Sequence, residues 1–201
     1  MHFKLPVAAF GVFVFGVLAA SVHGAAKPEA ETVPSYPDAT HMNTPVDYRE
    51  WIYLSTGLDM SYAPRIAGTA NHSMFDNVFV NPEAYRYFKQ NGVWPDKTVM
   101  VLEVRGAEGA ASINKSGHFQ SESLMGAEAH VKDNSRGGWT FYSFDGNGPG
   151  TLIPKAADCY SCHEAHGAVD TTFVQFYPTL MPIARDKKTL STAYQRENSG
   201  K

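Results

Sequence analysis

Cys159 and Cys162 lie three positions apart, and His163 directly follows the second cysteine. Residues i and i+3 of a helix lie on the same side, so both thiols can add to the two vinyl groups of one haem while the imidazole binds its iron. These are the only two cysteines in the chain. The spacing is that of the c-type haem attachment motif, and it predicts one haem c with two thioether bonds and His163 as an iron ligand.

Three other uses of the two cysteines fit the sequence less well. A thioredoxin-like redox pair is expected to open a helix after a strand of a βαβ unit, whereas this motif lies late in the chain and carries a histidine. A zinc site needs four ligands, which His163 and His166 would have to complete. A structural disulfide would close a very small loop and stabilise the fold little.

Residues 1–26 have the pattern of a secretory signal peptide. Lys4 precedes an apolar run from Leu5 to Ala20, and residues 22–24 resemble a small-residue cleavage site. The run is too short for a stable transmembrane helix. We therefore expect the protein to be exported to the periplasm, the compartment in which c-type haem is attached, and to have no membrane anchor after processing.

The rest of the chain has the length of one domain. The formal net charge is -3, and no block of lysine or arginine is present, which argues against a nucleic-acid partner. Residues 27–46 contain several prolines and are expected to be an extended linker, residues 47–185 a haem domain, and residues 186–201 a polar tail.

Hydrophobic periodicity and turn signals predict both helices and strands. A short amphipathic helix is expected over residues 47–56, and a second helix should begin at Asn81-Pro82-Glu83 and stop at Asn91-Gly92. The expected strands are residues 75–80, 98–104, 124–131 and 139–144, and a helical turn should carry the haem motif. The pattern predicts an α+β fold in which an antiparallel sheet of four or five strands packs against flanking helices.

Several motifs, in order along the chain, resemble the cytochrome P-460 and cytochrome c′-beta family. They are residues 48–51 (YREW), 78–85 (VFVNPEAY), 94–99 (WPDKTV), Glu128 with Val131-Lys132-Asp133, 139–142 (WTFY), the CxxCH motif and 173–178 (FVQFYP). The resemblance covers nearly all of the mature domain. It implies a mainly antiparallel sheet with flanking helices and a proximal haem ligand at His163.

The same resemblance implies two chemistries within the family. Members that oxidise hydroxylamine or convert nitrogen oxides have a lysine cross-linked to the haem edge, and this position falls on Leu102. Leucine has no nucleophilic nitrogen, so the cross-link cannot form and hydroxylamine oxidation is disfavoured. Members of the c′-beta type lack the lysine and bind nitric oxide or carry electrons. The resemblance to them also suggests that this protein forms a homodimer.

The remaining candidate residues concern the side of the haem opposite His163. The family's proton-accepting carboxylate falls on Glu128, which could instead hydrogen-bond a backbone group or His130. Met74 is the leading candidate for a sixth iron ligand because thioether sulfur is a good axial ligand, and Met100 and His72 are alternatives. Met74 could also be only a packing residue.

Three functions compete on this basis. With a His/Met haem, the protein would be a one-electron carrier that meets a redox partner protein. With no side-chain sixth ligand, Phe75, Leu102 and Met100 would form an apolar pocket for nitric oxide or another small gas. The alternative is a haem enzyme that oxidises hydroxylamine or converts nitrogen oxides, with Glu128 as proton acceptor.

Overall fold

The structure is a computed structural model that describes residues 33–61, 73–146 and 148–200. Within these residues, seven strands form one antiparallel sheet in the order β1-β7-β6-β5-β4-β3-β2. The strands are β1 His41–Met42, β2 Ile52–Leu58, β3 Met74–Val80, β4 Thr98–Glu108, β5 Phe119–Asp133, β6 Gly138–Phe144 and β7 Gly150–Leu152. The expected signal peptide lies outside the described residues.

The α+β class is confirmed, but the sheet has more strands than the four or five expected. The additional strands include β1 and β7, which have only two and three residues and pair with each other. Strands this short carry no readable alternation, so the sequence pattern could not reveal them. Because of β1, the expected linker contributes to the core, and Met42 is fully buried.

The expected helix over residues 47–56 is wrong. Tyr48–Glu50 form a single 3-10 turn, and β2 then pairs with β3 from Ile52 onward. Leu54 is buried and its neighbour Tyr53 is exposed, as the period of two in a strand requires. Pairing with β3 therefore overrides the weak helical spacing of Tyr48, Trp51 and Ile52.

Four α-helices flank the sheet in the described part of the chain: α1 Pro82–Asn91, α2 Asp158–His166, α3 Met181–Asp186 and α4 Thr192–Asn198. The prediction for α1 is confirmed, including termination at Gly92, whose φ of 73° is in the left-handed region. The Asn81 side chain, however, does not cap α1. It accepts a hydrogen bond from Val99 N (2.9 Å) and so ties the helix start to β4.

Both faces of the sheet are covered by apolar side chains. On one face, Val80 and Met100 join a cluster with Phe88, Trp94 and the segment that leads into α3. On the other face, Val99 and Val101 join Tyr142 and others. Alternation along β4 therefore separates two packed regions. No helix among the described residues is long and apolar enough to span a bilayer.

Candidate functional site

A cavity of about 520 Å³ lies between the first of these faces and helix α2. Its volume is within the range of pockets that hold small molecules and cofactors. The sheet supplies side chains from β2 to β6, and the other wall is α2 with the segment 172–177. The lining includes Val78, Met100, Leu102, Glu128, His130, Phe141, Cys159, Cys162, His163, Phe173 and Tyr177.

Helix α2 carries the motif, as expected of a helical turn, and brings the two cysteines and His163 to this cavity. Both thiols are free and half-buried, so no disulfide joins them. None of the residues of α2 is fully buried, which is unusual for a helix that packs on a domain. Among the described residues, no group of three or more His, Cys, Asp or Glu side chains is arranged to hold a metal ion. The helix thus presents the motif to the cavity rather than to a protein core.

The orientation of His163 is set by a hydrogen bond on the far side of its ring. Nδ1 donates to the carbonyl oxygen of Thr171 at 2.7 Å, which leaves Nε2 available for a metal. The ring packs between Phe173, with centroids 4.1 Å apart, and Phe141 at 4.7 Å. Burial lowers the pKa of His163, and the Thr171 carbonyl offsets this only in part. A neutral, fixed imidazole is the form that binds metals.

Gly167 at the end of α2 allows the Thr171 carbonyl to come this close. A Cβ atom at Gly167 would lie 2.7 Å from the carbonyl oxygen of His163 and 2.8 Å from the carbonyl carbon of Thr171. Both neighbours are backbone atoms and cannot move independently of the chain. Only glycine therefore permits the close approach of the two segments.

Leu102 and Glu128 face the cavity from directly opposed positions of β4 and β5. Leu102 pairs with Glu128 on one side and with Val78 on the other, so the three form one row across the sheet. Burial raises the pKa of Glu128. No described residue donates a hydrogen bond to its carboxylate, and the expected alternative, a bond to His130, is not formed. Instead His130 Nε2 lies 3.3 Å from Thr171 Oγ1.

Met74 lines the cavity but lies far from His163 along the sheet. Met74 is six positions from Val80 along β3. Val80 pairs with Met100, Met100 pairs with His130, and the His130 ring contacts the His163 ring. Six positions correspond to roughly 20 Å of strand. Two axial ligands of one iron are about 4 to 5 Å apart, given metal–nitrogen and metal–sulfur bonds of about 2.0 and 2.3 Å. A methionine side chain cannot span the difference, so the register argues against Met74 as a sixth ligand.

The other candidates for the sixth position are also displaced. Met100 pairs directly with His130, whose ring contacts His163 at 4.9 Å, so it lies on the His163 side of the cavity. Phe75, expected to line the pocket, is not a lining residue. Alternation along β3 directs it to the opposite face, where it pairs with Arg105. His72 lies outside the described residues.

Three residues of the site were missed by sequence reasoning or given another role. Asp76 lines the cavity between Met74 and Val78, and alternation from Met74 could have found it. The same rule applied from Glu128 would have placed His130 on the cavity wall. Thr171 acts through its backbone carbonyl, for which side-chain patterns give no signal.

The residues around the cavity fit a haem. Apolar side chains line most of it, two thiols at i and i+3 lie at its edge, and one neutral imidazole turns its free nitrogen into it. A search of curated proteins found no match to the chain. The family model described as Cytochrome P460 matches residues 45–174, which include strands β2 to β7, most of the residues that line the cavity, and the CxxCH motif. The chain therefore belongs to the cytochrome P460 family, and this membership implies a haem cofactor.

Proposed function

We propose that this protein is a mono-haem c-type cytochrome that binds a small neutral gas such as nitric oxide at an open axial position of its iron. Cys159 and Cys162 form the two thioether bonds, and His163 Nε2 is the protein ligand to the iron. The proposal is supported by the hydrogen bond from His163 Nδ1 to Thr171, which fixes the free nitrogen towards the cavity.

The observation that carries the gas-binding role is the register of the candidate sixth ligands. Met74 is about 20 Å of strand from the row that contains His130, and Met100 lies on the His163 side. A haem with one open axial position binds diatomic gases at its iron. Val78 and Leu102 line the wall with apolar side chains, which suits a neutral ligand.

The first experiment compares optical and electron paramagnetic spectra of the purified holoprotein, ferric and ferrous, before and after nitric oxide. We expect a high-spin ferric spectrum and rapid nitric oxide binding to the ferrous form. Met74→Leu and Met100→Leu, which remove the sulfur at nearly constant volume, should leave both results unchanged. A low-spin ferric spectrum with a thioether-to-iron band that Met74→Leu abolishes would show a His/Met electron carrier instead.

The covalent attachment is tested by extraction. Haem should remain with the wild-type chain in acid acetone, and replacement of both Cys159 and Cys162 by serine should make it extractable. Ser161→Ala, between the two cysteines, is the matched control and should retain the haem. Haem that leaves the wild-type chain would contradict the thioether bonds.

A second candidate function, hydroxylamine oxidation, is favoured by one observation. Glu128 lines the cavity without a donor among the described residues, and burial raises its pKa, as a proton acceptor requires. Leu102, the register partner of Glu128, occupies the position of the family's cross-linking lysine, so the activity would have to occur without that lysine. Steady turnover of hydroxylamine that is lost in Glu128→Gln would establish this function, whereas nitric oxide binding without turnover supports the first.

Export to the periplasm completes the proposal, because the N-terminal pattern and the haem motif both point to that compartment. Mass spectrometry of the mature protein should show an N-terminus near Ala25. An intact N-terminus on the haem-containing protein would contradict export with cleavage.

A further inference from the structure

The Thr171 carbonyl that accepts the His163 hydrogen bond belongs to a short segment between α2 and the 3-10 turn Val174–Phe176. The Thr171 side chain makes a second contact. Its Oγ1 lies 3.3 Å from Nε2 of His130 on β5. One residue thus joins the imidazole of His163 to a second imidazole on the sheet.

Lys132 holds the same segment from the next position of β5 on the same face of the sheet as His130. Its Nζ lies 3.1 Å from Oδ2 of Asp170 and donates to the carbonyl oxygen of Trp94 at 2.8 Å. Residues 130 and 132 of a strand are on one side of the sheet, so both reach the segment together. We call the contacts of His130 with Thr171 and of Lys132 with Asp170 the β5 clamp.

The backbone of the segment needs such support. Asp170 has a φ of 52°, in the left-handed region that non-glycine residues seldom adopt. Thr172 adds a further anchor, because its Oγ1 accepts from Trp94 Nε1 at 2.8 Å and donates to Val169 O at 2.8 Å. The segment is held on each side of Thr171, so its carbonyl has a defined position.

His130 is itself immobilised. It is 8% exposed, and its ring stacks on Phe141 with centroids 4.0 Å apart and planes within 10°. Trp139 contacts it at 4.3 Å, and the His163 ring meets it edge-on at 4.9 Å. A rigid imidazole joined to Thr171 transmits its position to the carbonyl and so to His163.

We propose that the β5 clamp positions the Thr171 carbonyl and thereby sets the strength of the bond between His163 and the haem iron. His130 and Lys132 are positioning residues, and this inference rests on the proposed role of His163 as axial ligand. A stronger hydrogen bond from Nδ1 makes the imidazole a more basic ligand, which favours the ferric state and lowers the reduction potential. The β5 clamp thus influences the reduction potential of the iron through the Thr171 carbonyl, without contact between the clamp residues and the iron.

The test measures the reduction potential and the iron–histidine stretching band in resonance Raman spectra of the ferrous holoprotein. His130→Phe keeps the aromatic stack and loses the link to Thr171, and Thr171→Val loses the hydroxyl but keeps the carbonyl. Each should raise the potential and lower the band frequency. The double variant should match the single variants rather than sum them, because both changes remove one contact.

Two further variants sharpen the result. His130→Gln keeps a polar group near the position of Nε2 and should restore most of the wild-type potential. Lys132→Met should lower the iron–histidine band frequency by less, since His130 still holds Thr171; the band is its readout, because loss of the lysine charge by itself lowers the potential. The matched control is His166→Phe, an exposed histidine on α2 that lies 3.1 Å from Glu197, and it should change neither readout.

Each outcome decides the inference. Shifts in His130→Phe and Thr171→Val no larger than in His166→Phe, or shifts that add in the double variant, overturn the clamp while leaving His163 as ligand. A wild-type protein without an iron–histidine band overturns the axial role of His163 and the clamp together. If His130→Phe does not fold, Thr171→Val and Lys132→Met still decide, because they leave the aromatic stack intact.

Discussion

Glu103 and Glu128 lie on neighbouring strands of one sheet but on its opposite faces. Glu128 is the register partner of Leu102, and the next position of β4 is Glu103. Glu103 is 3% exposed and faces the packed side, whereas Glu128 faces the cavity. Two glutamate side chains that are displaced by only one position in the sheet therefore lie in different environments.

Glu103 is surrounded by donors. Arg105 Nε donates to Oε1 at 2.5 Å, Arg49 Nη2 donates to Oε2 at 2.5 Å, and Tyr48 Oη also donates to Oε2. Burial alone would raise the pKa of Glu103, but these hydrogen bonds and the two arginine charges outweigh it and lower the pKa. Glu103 is thus a structural carboxylate that is ionised and fully bonded.

Glu128 has the opposite balance. Burial raises its pKa, and no described donor compensates. Asp76, also on the cavity wall, has a raised pKa because of burial and then the charge of Asp59. A carboxylate without donors destabilises the fold when ionised, and it keeps its proton to a higher pH than an exposed carboxylate does. The pKa values of the two carboxylates shift in opposite directions because Glu103 has donors around it and Glu128 has none among the described residues.

The largest expected effect is the loss of stability in Glu103→Ala. Removing this carboxylate leaves Arg105 and Tyr48 without their buried partner, while Arg49 is half exposed and can be hydrated. We expect the free energy of unfolding to fall by about 2–3 kcal/mol. This is at or just below the range of about 3–5 kcal/mol for breaking a buried ion pair, because Arg49 can be hydrated. Urea denaturation measures it, with exposed Glu108→Ala as control, and an unchanged midpoint would show that the cluster contributes little.

The pH dependence should separate the same two residues. The pKa of Glu103 is depressed in the folded state, so its stabilisation is present above its unfolded pKa of about 4.3 and is lost as pH falls through the folded value. Glu103→Gln should therefore be less stable at pH 7 but lose less stability between neutral pH and pH 3. Parallel acid profiles for the variant and the wild type would contradict this interpretation.

The smallest expected change in stability is that of Glu128→Gln. The pKa of Glu128 is raised in the folded state, so its favourable contribution is present below the unfolded pKa and is lost as pH rises through the folded value. The variant should be as stable as the wild type at pH 7, or slightly more so. In Glu128→Gln, any step that uses the Glu128 proton should lose the part of its pH dependence that lies above the unfolded glutamate pKa of about 4.3. A clear loss of stability would assign Glu128 a structural role like that of Glu103.

Local chemistry was readable from the sequence. The CxxCH spacing indicates the haem motif because i and i+3 share a helix face, and Pro82 and Gly92 bound α1 through backbone preferences of single residues. The period of two along the expected strand 98–104 puts Leu102 and Glu103 on opposite faces without reference to any other strand. These features depend on neighbours within a few positions.

Features that depend on distant partners were not readable. β2 is a strand because β3 lies beside it, and Met74 is remote from His163 because of the register between strands. The Thr171 carbonyl reaches His163 only because Gly167 lets two backbone segments approach. The sequence by itself determined which residues can bind a haem, since that is a matter of residue type and local spacing. Only the tertiary structure decided which atoms orient His163 and which side chains face the cavity, because strand register and segment packing arise from contacts between residues far apart in the chain.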